Sequence, residues 1–142
     1  MSRSGYSDDC DGEMPLELYR QAVHRATTGY RGQHLLKKLL AALDAMPERR
    51  LIAGNIKDES GQVCALGALD ANAPKYDADD YDDADHPRKL AEHFKIAPAL
   101  ASEIVYMNDE YDSWSLRNET PEQRWTRMRA WVEQQIVPTE AA

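Results

Sequence analysis

At 142 residues, 42% hydrophobic and 30% charged, the chain has the composition of one globular domain whose core requires no metal or disulfide staple. Its net charge of −8 argues against general nucleic-acid binding, in which Lys and Arg must neutralise phosphates. No apolar run reaches the ~18 residues of a membrane helix, and residues 1–13 lack the apolar stretch of a signal peptide. Cys10 and Cys64 are too few for a disulfide framework, so a cytoplasmic protein is expected.

Charge is unevenly placed. Residues 1–74 hold nine basic and ten acidic side chains, whereas 75–142 hold eight basic and fifteen acidic, a net of −7. Within the first part, residues 14–50 carry seven basic and three acidic side chains. A mildly basic front and an acidic back follow.

In chain order, residues 1–13 read as a flexible polar arm, 14–137 as a single α-rich domain and 138–142 as a tail. Pro15 suits a first helical position, and Leu16, Tyr19, Ala22, Val23 and Ala26 recur at helical spacing up to Thr27-Thr28-Gly29. A second helix is expected from near Gly32, with Leu35, Leu36, Leu39, Leu40, Leu43 and Met46 as a broad stripe ended by Pro47. The link Gly29-Tyr30-Arg31-Gly32 suggests an antiparallel helical hairpin. Two short apolar runs, 51–56 and 62–65, flank a turn-rich loop with Gly61 and predict a small β-hairpin lying on the helices. Leu66 to Asn72 can open a further helix ended by Pro74.

Residues 75–85 form an acidic loop. His86-Pro87 opens a helix carrying Leu90, Ala91 and Phe94; Lys95-Ile96-Ala97 turns; Pro98 starts the next helix, with Leu100, Ile104 and Met107 inward. Thr120-Pro121-Glu122-Gln123 is a strong helix start, followed by Trp125, Met128, Val132 and Ile136 as an apolar stripe with Trp131 at its edge. The expected fold class is mainly α with a small β-hairpin, in a single compact helical domain.

The stretches Cys64-Ala65-Leu66-Gly67-Ala68-Leu69, Ile104-Val105-Tyr106-Met107-Asn108-Asp109-Glu110 and Glu119-Thr120-Pro121-Glu122 together resemble a group of small phage and prophage proteins of unknown function. A looser form of the pattern is similar to actinobacterial domains of unknown function. Ser4-Gly5-Tyr6-Ser7-Asp8-Asp9 and Arg31-Gly32-Gln33 fit the closer group, so the resemblance covers most of the chain. It implies no reaction and no cofactor. What it implies is context: an accessory gene of a mobile element, such as an anti-defence protein of the anti-CRISPR kind, in the cytoplasm of a bacterial host.

Four features could carry chemistry. Cys64 lies where a helix N-terminus would lower its pKa, with His24, His34, His86 or His93 as base and Asn108 or Asp109 as orienter of a cysteine-dependent hydrolase or transferase. Against this, Cys64 sits between Val63 and Ala65 and matches no cysteine-hydrolase signature, so space filling is the favoured role. Asp77, Asp79, Asp80, Asp82, Asp83 and Asp85 lack the central glycine and terminal Glu of a calcium loop. They read as a solvated loop, or as an acidic surface for a protein partner that imitates a phosphate backbone, ahead of a metal site. Residues 89–110 have the rhythm of a helix-turn-helix, but Ser102, Glu103, Asn108, Asp109 and Glu110 offer no base-reading Arg or Lys. Asp109, Glu110, Tyr111, Asp112 and Trp114 extend the acidic surface, with Tyr76 and Tyr81 as interleaved aromatics. Trp125 and Trp131, beside Arg124, Arg127 and Arg129, are core candidates with interface binding as the alternative.

The expected function is therefore a non-enzymatic protein that binds and inhibits or redirects a host protein bearing a basic surface. A cysteine enzyme and a small-ligand-binding protein stand as alternatives, and self-association is compatible with both.

Overall fold

A computed structural model describes residues 16–54, 56–73, 86–109 and 118–138. Among these residues six helices occur: α1 (Leu16–Thr28), α2 (Tyr30–Ala45), α3 (Ala65–Leu69), α4 (His86–Phe94), α5 (Pro98–Asp109) and α6 (Pro121–Gln135). None is long and apolar enough to cross a membrane. The expected arm, the tail, the acidic stretch 75–85 and residues 110–117 lie outside the described residues.

Helix α5 is the centre of the fold, because Leu100, Ala101, Ser102, Ile104, Val105, Met107 and Asn108 are all buried. Helices α1, α3, α4 and α6 pack around it. Its burial also removes the recognition-helix reading, since Ser102 and Asn108 face the interior rather than a groove of DNA. Helix α2 lays its leucine stripe, with Leu36, Leu39 and Leu43 fully buried, against α1, α3 and α6. Each such leucine contributes about 1.5–3 kcal/mol by burial.

The link between α1 and α2 is shorter than its composition suggests: Gly29 alone separates them. Gly32 then falls in the first turn of α2, where an added Cβ would stand 1.9 Å from the Ala26 carbonyl oxygen. Gln33 fastens this corner, donating from Nε2 to Thr27 O (2.7 Å) and Gln135 O (2.9 Å) while its Oε1 accepts from Val137 N (2.8 Å).

The expected β-hairpin is replaced by an irregular loop with one isolated antiparallel bridge, Lys57 with Val63. Competition for the backbone explains the difference. Leu51 N donates to Pro121 O (3.0 Å) and Leu51 O accepts from Arg124 Nη1 (3.1 Å), so both groups are taken by the start of α6. Ile52 O is taken by Asn108 Nδ2 (2.9 Å). Ile52 N still reaches across to Val63 O (2.9 Å), but with the other groups of Leu51 and Ile52 taken elsewhere no ladder extends from that bond. The loop's tip is an Asx turn in which Asp58 Oδ1 accepts from Ser60 N and Gln62 N, both at 2.9 Å.

Helix α6 begins as its sequence signature predicts. Thr120 Oγ1 accepts from Gln123 N (3.1 Å) and Gln123 Oε1 accepts from Thr120 N (2.9 Å), a complete capping box. Trp125 is core: it is 5% exposed, its Nε1 donates to Leu43 O (3.1 Å), and the Arg49 guanidinium lies 4.7 Å from its ring centroid. Trp131 is half-buried against the same core. Lys95 stands apart, because its φ of 59° places a branched-at-Cβ-free but bulky side chain in the left-handed region. There it closes α4, with Ile96 N donating to Ala91 O (3.0 Å), in the position glycine normally fills at a cost lower by about 1 kcal/mol.

Candidate functional site

Among the described residues, two regions bring together polar side chains from three segments of the chain. The first is a junction where the loop before α3, the end of α5 and the start of α6 meet. Cys64 is the N-cap of α3, is 1% exposed and takes part in no disulfide. Its side chain does not cap the helix; Asn108, reaching from α5, accepts from Ala65 N (3.2 Å) instead. Asn108 also donates to Ile52 O and to Asp109 Oδ1 (2.6 Å), so its amide joins three segments.

Below it, Arg127 forks onto Glu119 through Nε (2.7 Å) and Nη2 (3.1 Å). It also donates to Met107 O (2.5 Å) and Asn108 O (3.3 Å), closing the carbonyl end of α5. Arg124 Nε lies 3.2 Å from Glu119 Oε1 as an ion pair, although its N–H does not point at that oxygen. The Glu119 side chain is 10% exposed and is therefore compensated by two guanidinium groups.

The structure thus brings Cys64, Asn108 and Asp109 into one neighbourhood, but as packing and capping groups. Three of the four bases proposed for the thiol are directed elsewhere. His24 is exposed on α1, His34 is exposed and stacked on Tyr30 at 6.2 Å, and His93 contacts Asp70 at 2.8 Å. His86 opens α4. Asp77, Asp79, Asp80, Tyr81, Asp82, Asp83, Asp85, Glu110, Tyr111, Asp112 and Trp114 lie outside the described residues. Among the described residues no group of three His, Cys, Asp or Glu side chains is placed to hold a metal ion.

The second region is a cavity of about 570 Å³ between α2 and the ends of α3 and α4. Tyr30, Arg31, His34 and Lys38 line it from α2, where spacings of three and four put them on one face. Asp70, His93, Phe94 and Lys95 line the opposite side. Asp70 fixes that wall: Oδ1 accepts from Asn72 N (2.9 Å) and Oδ2 meets His93 Nε2 (2.8 Å). The backbone bond from Asn72, then the bond with His93, holds the Asp70 carboxyl below the usual carboxylate range. Among the described residues, Arg31, Lys38 and Lys95 form no ion pair with a carboxylate. Sequence reading noted the basic character of residues 14–50 but missed the cavity, because its walls are about sixty residues apart in the chain.

No protein-family model, no curated protein and no solved structure matches this chain.

Proposed function

We propose that the protein acts by binding rather than by catalysis, as a phage-type accessory protein that attaches to a host protein and inhibits or redirects it. The segregation of charge supports this reading. Six aspartates fall within residues 77–85, in a half of the chain carrying fifteen acidic and eight basic side chains. The arginines of α6 are engaged close to home, Arg124 and Arg127 with Glu119, and Arg129 with Asp44 (2.6 Å) and Glu133 (2.7 Å). An acidic surface of this kind steers association with a basic partner and selects it, while aromatic anchors such as Tyr76, Tyr81, Tyr111 and Trp114 supply affinity.

A pull-down from host lysate at two salt concentrations tests the proposal. Capture should fall at the higher salt and should be weakened by changing Asp79, Asp80, Asp82 and Asp83 together to Asn. Capture indifferent to both would remove the acidic surface from the account. The cysteine-dependent alternative requires a reachable thiolate, and the burial of Cys64 opposes it. Rapid modification of Cys64 by a thiol reagent in the native state would restore it.

A further inference from the structure

We propose that the cavity between α2 and the ends of α3 and α4 is a binding site for a free nucleotide, independent of the acidic surface and of the function proposed above. A volume of about 570 Å³ lies within the range of small-molecule sites, roughly 300–1,000 Å³. Beside Leu35, Leu69 and the His93-bound Asp70, its lining carries two chemistries suited to a ligand. Arg31, Lys38 and Lys95 present cationic donors with no carboxylate partner among the described residues, in a chain whose net charge is −8. The one carboxylate in the lining, Asp70, is engaged by His93 and Asn72 N, so the three cations still outnumber it, and a bound phosphate group would relieve their repulsion through charge-assisted hydrogen bonds.

Beside them is an aromatic wall. Tyr30 is 85% exposed, and its ring is stacked 5° from parallel on His34. That stacking holds the tyrosine ring while leaving its outer face open for a second flat ring. Phe94, fixed edge-on against His93 at 4.9 Å, lines the opposite side. A flat ring carrying an anionic tail matches the two halves together, and a nucleobase with its phosphates is that ligand.

Lys95 gives an independent reason to read this as a site. Its left-handed backbone is where glycine would close α4 most easily, yet the position holds a lysine whose side chain lines the cavity. Residues kept in such conformations cluster at ligand-binding positions. This also supplies a variant in which binding and folding respond in opposite directions.

Calorimetric titration with ADP, inorganic phosphate, adenosine and a short oligodeoxyadenylate, with amide chemical-shift mapping, is the test. ADP is expected to saturate with a Kd below about 1 mM and to shift Tyr30, Arg31, Lys38 and Lys95. Phosphate and adenosine alone should each bind more weakly. Lys95→Gly should weaken ADP about tenfold, the scale of one charge-assisted contact, while holding or raising Tm. Arg31→Ala should do likewise at unchanged Tm, and Tyr30→Ala should weaken ADP without altering phosphate binding. ADP that fails to saturate, that shifts other amides, or that binds Lys95→Gly and Arg31→Ala as tightly as the parent protein overturns the proposal. Tighter binding of the oligonucleotide than of ADP overturns the assignment to a free nucleotide.

Discussion

The junction beneath α3 and the cavity beside α2 both concentrate charge, yet they use it in opposite ways. At the junction each cation is matched: Arg127 meets Glu119 and two carbonyls of α5, and Arg124 meets Glu119 and Leu51 O. At the cavity Arg31, Lys38 and Lys95 face a shared volume whose one carboxylate, Asp70, is engaged by His93 rather than by any of them. Matched charge in a buried place specifies how segments meet, and removing one member leaves the others stranded. Unmatched charge at a surface adds little to folding and is open to a ligand.

The largest expected effect breaks the junction. Glu119→Ala leaves two guanidinium groups in a nearly closed site and should destabilise the fold by about 3–5 kcal/mol. Urea denaturation of this variant beside Lys38→Ala measures the contrast directly, because the cavity variant should keep the parent midpoint. Equal midpoints for the two variants would mean that the two regions do not differ as described.

Gly67→Ala tests the wall of the junction. A Cβ there would lie 2.1 Å from the Ile56 carbonyl oxygen and 2.9 Å from Val63 Cβ, so the loop must move away from α3. A loss of about 1–3 kcal/mol is expected, as for overpacking elsewhere. A thermal midpoint equal to the parent's would show that the loop yields freely and that the contact is not a close one.

Thr120→Ala then probes how the junction is assembled. Loss of the capping box should cost about 1 kcal/mol. Glu119 immediately precedes the cap, so the variant should also raise hydrogen exchange at the first amides of α6. Unchanged protection there would separate the cap from the ion pairs.

How far these regions are legible in the sequence follows from the distance between their parts. The stripe of Leu35, Leu36, Leu39 and Leu43 and the capping box at Thr120 are local signals, and the helices they predict are present. The hairpin is a local signal too, but Leu51 N, Leu51 O and Ile52 O find their partners at the start of α6 and at Asn108, leaving only Ile52 N on Val63 O, and tertiary demand overrides the pattern. Cys64, Asn108 and Asp109 could be singled out as chemistry-bearing residues, and the bond from Ala65 N to Asn108 brings them into one neighbourhood. That Asn108 caps α3 and that Cys64 is buried depends on α5 running through the centre. Glu119 carried no visible signal beyond its place before the cap. The cavity needed residues 30–38 and 93–95 to be brought face to face, which no spacing rule reports.

Glu103 provides a case between the two regions, and the smallest expected effect. It is half-buried on α5, and burial pushes its carboxyl above the usual range while the Arg20 guanidinium on α1 pulls the other way. Compensation here is partial, neither the full match of Glu119 nor the open charge of Lys38. The folded state holds this proton more tightly than the unfolded chain does, so ionisation favours unfolding. No penalty exists well below the unfolded value of about 4.3, and stability is lost as pH rises through the folded value. Glu103→Gln keeps the shape and removes the ionisation. It should therefore raise Tm at pH 7, with the gain shrinking as pH is lowered toward 4, in parallel melts of parent and variant. A variant that melts lower at pH 7 would mean that the attraction to Arg20 outweighs the cost of burial, placing Glu103 with the matched charges of the junction.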